Sequence, residues 1–410
     1  MVLRSLIQAL VFLIVARTLG AEGFGSFAAV AAIASALSFF SGLGANVMLV
    51  RNIARDRSNF PESFGYALTA FSLGIPITGL LYFVIASLAL PDSISWLVII
   101  LLGISEIVFS PLTGCGYYAY QGFEMMSKVS LMQLIPAITR LVGAFALLIS
   151  HRLLDFNQLL LLWSWLYLFC SLAAATYVNC MVIKDLGKPI FPKINNLLSY
   201  IWYSIPFSFS GVAEKLYADG DKFMLARLSS VNSAGLYSAG YRFVDLAYIP
   251  LQALMSAASP GYFRKGSTGV AGSMSYSFKI YPLPLFYGVT VGCLIFLCAP
   301  MLPLLIGASF TEAIDVARWL AWLPLVTVPR MLLHYPLATS GLQKDAMLAL
   351  VVGACCNLFL NFLWIPLWNW RGAVAATYLT EILMIVTMLY KIISNWHSKP
   401  KLSNMNKKFE

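Results

Sequence analysis

The chain has 410 residues, of which 60% are hydrophobic and 11% charged, with a net charge of +10 and a mean hydropathy of +0.80. Soluble domains carry about 25% charged residues, so a soluble globular fold is excluded by the apolar surface it would have to hide. The positive charge is no nucleic-acid signal, because Lys and Arg collect at alternate polar breaks in the manner of a membrane protein.

Apolar stretches of about 20 residues follow one another from Leu3 to Ile393. Each must cross roughly 30 Å of hydrocarbon at about 1.5 Å per residue and satisfy its own backbone, which requires helices. The alternation of an outer-membrane barrel is absent. In chain order the predicted spans are 3–18, 25–49, 64–89, 95–118, 129–150, 158–182, 198–222, 234–258, 277–299, 313–339, 346–366 and 372–393. The first, which follows Arg4 and ends near Gly20-Ala21-Glu22, also reads as a signal peptide, and its short lead leaves an upstream start codon open. One set of breaks holds Arg51, Arg55 and Arg57; Lys128; Lys184, Lys188 and Lys193; Arg264 and Lys265; Lys344; and Lys391, Lys399, Lys401, Lys407 and Lys408. The opposite set holds only Arg17, Arg152, Arg227 and Arg371, so both termini are expected in the cytoplasm.

The break Lys184-Asp185-Leu186-Gly187-Lys188-Pro189-Ile190-Phe191-Pro192-Lys193 combines helix breakers with charge. It divides the chain into a six-helix lobe (1–183), a cytoplasmic linker (184–197), a second six-helix lobe (198–393) and a basic tail (394–410). The lobes repeat each other. Arg17 to Ala29 aligns without gaps with Arg227 to Ala239, with Arg, Gly, an aromatic and Ala coinciding. Ala119-Tyr120-Gln121-Gly122-Phe123 likewise echoes Ala338-Thr339-Ser340-Gly341-Leu342. An even number of spans makes the repeat parallel, and such halves usually enclose a central cavity and rock around it. Chance matching among helices rich in small residues is the alternative.

Several charges lie where lipid is expected. Arg140 sits about ten residues from either end of its span, some 15 Å from water, beyond the reach of its side chain. A charge there costs at least about 2.5–3.5 kcal/mol on insertion scales, so a wet cavity or a partner is required. Spacing of i, i+4, i+7 places Lys215, Asp219 and Lys222 on one face of the seventh span, with Glu214 and Asp221 on a neighbouring face. Arg242 and Asp245 form an i, i+3 pair, Arg330 and His334 an i, i+4 pair, and Glu106 and Glu381 stand alone in their spans. Each has a plainer reading: Arg242 with Asp245 as a structural pair, Asp221 and Lys222 as interfacial, Glu106 and Glu381 as neutral hydrogen-bonded acids or proton carriers. The excess of embedded cation over anion suggests an anionic cargo, since phosphate and carboxylate suit Arg's paired donors. The seven cysteines show no metal-ligand spacing, and no cofactor or metal is expected. Mid-span prolines, among them Pro76, Pro136, Pro250 and Pro329, serve as hinges or as packing kinks.

At four stretches the chain resembles the polysaccharide-transport family (Wzx-like O-antigen flippases) of the multidrug/oligosaccharidyl-lipid/polysaccharide exporter superfamily. They are Ala16-Arg17-Thr18-Leu19-Gly20 with Phe24-Gly25; Asp219-Gly220-Asp221-Lys222 continuing to Gly235-Leu236-Tyr237-Ser238-Ala239-Gly240-Tyr241-Arg242; Pro260-Gly261-Tyr262-Phe263-Arg264; and Asn357 to Pro366 with Arg371-Gly372-Ala373-Val374-Ala375-Ala376-Thr377. Val374 and Gly240 depart from the commoner alanines. The resemblance implies an all-α polytopic membrane protein of about twelve helices in two lobes around a cavity, MATE-like, and no enzyme. It further implies an inner-membrane flippase for undecaprenyl-pyrophosphate-linked oligosaccharide, in lipid, working beside an O-antigen polymerase and a chain-length regulator. In that picture Arg140, Lys215, Arg330 and Arg242 hold the cargo, and Asp221, Glu106 and Asp219 are the candidate ion-coupling acids. A multidrug or small-molecule antiporter of the same superfamily is the rival, and a membrane polymerase or glycosyltransferase a remoter one. No loop much exceeds about 15 residues and no nucleotide-binding loop or paired loop carboxylates serve an enzyme.

Overall fold

A computed structural model describes residues 2–151, 156–191, 194–266 and 269–396. Arg152, Lys193 and the basic tail from 397 onward lie outside the described residues. The chain divides into two compact units. The first is Met1–Gly235 with Leu305–Gly307; the second is Leu236–Leu304 with the chain from Ala308 onward.

The first unit opens with α1 (Val2–Ser41), a single element 40 residues long that bends at Gly20 (φ 66°, ψ 179°). Only glycine adopts that backbone at little cost, so the polar break expected there is a kink inside a helix rather than a loop. The second predicted span stops at Ser41. Leu43 and Gly44 turn through positive φ (48° and 78°) into α2 (Ala45–Arg55). A Cβ on Gly44 would overlap the Ser204 carbonyl, and Ser204 Oγ donates to Leu43 O at 2.5 Å. Asp56 then caps the next turn: its Oδ1 accepts from Ser58 N and Oγ at 2.9 and 2.7 Å, which holds its carboxyl below the usual carboxylate range.

There follow α3 (Phe60–Ala89), α4 (Trp96–Ile104), a π-helical turn (Ser105–Phe109), α5 (Ser110–Gly122), α6 (Met126–Ser150), α7 (Phe156–Leu186) and α8 (Ile194–Leu228). α1 is the central element, packed against α3, α6, α7 and α8. At the basic-rich end, Ile53, Phe60, Phe64, Tyr120, Val178 and Val182 form a buried core. It is tied by Lys128 Nζ and Tyr120 OH, both on Asp185 Oδ2 at 2.6 and 2.8 Å. The linker lies on α3: Ile190 N donates to Pro61 O at 2.8 Å, and a Cβ on Gly65 would overlap Ile190 O.

α9 (Val231–Gly266) begins in the first unit and continues in the second, followed by α10 (Val270–Ile280), α11 (Pro282–Cys298), α12 (Leu302–Ile306), α13 (Ala313–Leu320), α14 (Leu323–Thr339), α15 (Gln343–Trp368) and α16 (Trp370–Ser394). The predicted ninth and tenth spans are each two helices, parted at Tyr281 and at Ala321-Trp322, just ahead of Pro282 and Pro324. Proline without an N–H is best placed in a first helical turn. α15 and α16 form a tight hairpin through Asn369 (φ 55°), whose side chain accepts from Trp370 N at 2.7 Å, while a Cβ on Gly372 would overlap Trp364 O. Lys391 pairs with Asp345 at 2.9 Å to fasten its open end.

Among the described residues nine helices are long and apolar enough to cross a membrane. One of them, Leu3–Ser41, carries the first predicted span and most of the second. The predicted seventh and eighth lie in α8 and α9, 35 and 36 residues long. Both are long enough to cross, but neither is among the nine.

Candidate functional site

The embedded charges resolve into ion pairs, two of them between helices and the rest within α8 or α9. In the first unit Arg140 on α6 donates from Nη2 to Glu106 Oε1 at 3.3 Å, across 34 residues of sequence. Glu106 is buried in the π-helical turn. Such a turn adds a residue to the helical circuit and displaces the side chains it carries, a device found at functional positions. Tyr167 on α7 donates its hydroxyl to the same Oε1, and its ring faces the Arg140 guanidinium at 4.3 Å. Phe27 and Trp163 wall the group, with ring centroids 5.4 Å from Phe27 to Tyr167 and 5.7 Å from Trp163 to Tyr167. Arg140 Nε is buried without a hydrogen-bond partner.

The helical spacing in α8 also closes as expected. Lys215 Nζ meets Asp219 Oδ2 at 2.6 Å, and Lys222 Nζ meets Asp219 Oδ1. Asp219 thus lies between two ammonium groups of its own helix. Asp221 is buried and Glu214 exposed, so the two do not share one environment.

In the second unit Arg330 Nε on α14 donates to Glu381 Oε2 on α16 at 2.7 Å, across 51 residues. Tyr248 OH and Thr327 Oγ1, 2.9 Å apart, sit on the neighbouring turns of α9 and α14. His334, one turn beyond Arg330, has a buried Nδ1 without a hydrogen-bond partner. Arg242 and Asp245 pair at 3.4 Å with nearly half of each side chain exposed.

The two arginines left without a sequence-local acid thus each find a carboxylate from a distant helix, and the two glutamates that stand alone in sequence are those acids. Pairing lowers the cost of burying either charge, and removing one partner strands the other. Arg4, which sequence reasoning passed over, donates from Nη1 to Gln133 Oε1 at 3.1 Å. Its signal was a lone cation heading an apolar span. Among the described residues no group of three or more His, Cys, Asp or Glu side chains is placed to hold a metal, and all seven cysteines are unbridged.

The run of membrane-length helices defines an all-helical, multi-pass membrane protein with ion pairs set within it. Residues 1–263 match the polysaccharide biosynthesis protein family, and the chain belongs to that family. The fold is similar to that of an inward-facing multidrug resistance MATE transporter (TM-score 0.74, 14% identity, 96% of each chain covered). It is also similar to the lipid II flippase MurJ in an inward closed conformation (TM-score 0.71, 16% identity, covering 96% of this chain and 88% of MurJ). An outward-facing MATE transporter matches at TM-score 0.57, with 14% identity and 96% and 93% coverage. No curated protein matches by sequence.

Proposed function

We propose that this protein is a flippase that moves undecaprenyl-pyrophosphate-linked oligosaccharide, with an O-antigen repeat unit as its cargo, across a bacterial inner membrane by alternating access. The observation that carries the reading is the pairing of Arg140 and Arg330, each inside a membrane-length helix, with one glutamate from another helix. An arginine so held is an exchangeable anion site, because a diphosphate offers the same fork of oxygens as the carboxylate it replaces. Protonating Glu106 would remove its charge and turn the Arg140 guanidinium over to the cargo. Asp219 and Asp221 are the further candidate coupling acids, and Lys215, paired with Asp219, is a further candidate cargo contact on α8. Arg242, half exposed, is the weakest of the proposed cargo contacts.

In this reading the lobes 1–183 and 198–393 are the moving bodies and both termini are cytoplasmic, as the distribution of Lys and Arg suggests. An O-antigen polymerase and a chain-length regulator would act on the delivered unit. The test is the lipid-linked sugar profile of a strain lacking this chain, read with its surface polysaccharide. Accumulation of one undecaprenyl-pyrophosphate-linked repeat unit, with surface polymer lost and restored by complementation, is expected. Normal polymer with no accumulated intermediate, in a strain without a second flippase, would sink the proposal.

The second reading is an antiporter for cationic small molecules. It is favoured by the embedded acids Glu106 and Glu381, which a cationic cargo displacing their arginines would engage. Efflux of cationic dyes by the purified protein in proteoliposomes, unaffected by lipid-linked sugar, would support it.

A further inference from the structure

Arg318 is a half-buried arginine in α13 that has a ring where Arg140 and Arg330 have a carboxylate. Its guanidinium carbon lies 5.1 Å from the centroid of Phe296 on α11. Among the described residues no carboxylate is within ion-pair distance of it, and Asp315, one turn earlier on the same helix, is exposed and does not pair with it. An aromatic face attracts a cation but accepts none of its in-plane N–H groups, and Nε of Arg318 is buried without a hydrogen-bond partner. Arg371, in the first turn of α16, repeats the arrangement. Its guanidinium carbon lies 5.0 Å from the Trp370 ring, again with no carboxylate in ion-pair distance among the described residues.

A pair of indoles joins the two. Trp319 follows Arg318, Trp370 precedes Arg371, and their rings meet edge to face with centroids 6.4 Å apart. Tyr378 OH on α16 donates to Trp319 O at 2.7 Å, which ties α13 to α16. Trp322 seats the next turn on α11, where a Cβ on Gly292 would lie 2.9 Å from its ring. All these residues belong to the second unit.

Indoles gather at the headgroup level of a bilayer, and these stand at the closed end of the α15–α16 hairpin, away from the Lys391–Asp345 pair. Phe296 and its neighbour Leu297 are exposed beside Arg318. An anion approaching over that apolar surface comes attached to hydrocarbon. Phosphate matches the unused donors of a guanidinium with two oxygens at once. Two uncompensated cations also select a headgroup of net negative charge, because they repel the ammonium of a zwitterionic one. Arg330, twelve residues further along and about 18 Å away in helical rise, keeps its own glutamate.

We propose that Arg318 and Arg371, backed by Phe296 and Trp370, bind the phosphate headgroup of an acidic membrane phospholipid whose acyl chain lies over Phe296 and Leu297. The bound lipid fixes the corner of α11, α13 and α16 to one leaflet, independently of the cargo.

The test uses the full chain in detergent, titrated with phosphatidylglycerol and separately with phosphatidylcholine, with bound lipid counted by native mass spectrometry. Arg318→Gln is expected to weaken phosphatidylglycerol binding about tenfold, the scale of a hydrogen bond between charged groups. The exposed Arg371→Gln should weaken it about threefold, and neither should change phosphatidylcholine binding. Unaltered phosphatidylglycerol affinity in Arg318→Gln would overturn the site. An equal loss of both lipids would show a contact with any phosphate and overturn the choice of an acidic headgroup. Farnesyl diphosphate added in equal amount is expected to leave the Arg318-dependent lipid in place; its displacement would make this a subsite for isoprenoid diphosphate and overturn the proposal. If Arg318→Gln does not fold, Phe296→Leu keeps both arginines, removes the ring and is expected to lower phosphatidylglycerol affinity. Unchanged affinity there would equally overturn it, and none of these outcomes touches the flippase reading.

Discussion

Gly25 and Gly235, equivalent positions in the repeat of Arg17–Ala29 with Arg227–Ala239, pack backbone against backbone and do so reciprocally. A Cβ on Gly25 would overlap Val231 O and lie 2.7 Å from Gly235 N; a Cβ on Gly235 would overlap Ala21 O and lie 3.1 Å from Gly25 N. Val231 is the repeat partner of Ala21, so each segment makes the same contact with the other, the mark of a local twofold axis. Each glycine also follows a break by five residues: Gly20 in α1, and Ser230 between α8 and α9. Small residues four apart let helix backbones approach where lipid supplies no hydrophobic drive for association.

Gly25→Ala and Gly235→Ala should therefore each destabilise the protein by about 1–3 kcal/mol, the range for overpacking a filled interface. Thermal unfolding in detergent would register this as a lowered midpoint. The double variant should lose less than the two singles added together, because one separation of the segments relieves both clashes. Additive losses would mean that the two contacts are independent.

Arg140 and Glu106 form a pair from which neither member can be removed alone without stranding a buried charge. Arg140→Ala or Glu106→Ala is expected to cost about 3–5 kcal/mol, and the double substitution less than the worse single. Glu106→Gln keeps an acceptor for the Tyr167 hydroxyl and should be the mildest change at that position. A double-mutant cycle on unfolding midpoints measures the coupling.

Arg330 and Arg242 are both paired, but their environments differ. Arg330 is largely buried on Glu381, whereas Arg242 and Asp245 are nearly half exposed. Arg330→Lys, which removes the planar fork, should lower stability and transport together. Arg242→Ala should change stability by no more than about 1 kcal/mol, the range for exposed pairs. An Arg242→Ala effect as large as that of Arg330→Lys would refute the ranking.

Gly65 holds the linker by leaving room for the Ile190 carbonyl. Gly65→Ala should lift the segment around Ile190 off α3 and break its 2.8 Å hydrogen bond to Pro61. Limited proteolysis should then cut near Lys188 faster than in the unsubstituted protein, with little change elsewhere.

Much of the fold was legible without coordinates because its causes are local. The length and apolarity of each stretch define a span, and the i, i+4, i+7 spacing of Lys215, Asp219 and Lys222 already places them on one helical face. The repeat around Gly25 and Gly235 was readable as a pattern, and the positive φ at Gly20 explains why the expected loop there is a kink. Tertiary structure alone decided the partners. Arg140 meets Glu106 from 34 residues away, Arg330 meets Glu381 from 51, and Arg4 meets Gln133 from 129. Nothing in the spacing within one helix encodes which helix will pack beside it, because that depends on side-chain shape along whole faces. Those pairings are what compensate Arg140 and Arg330.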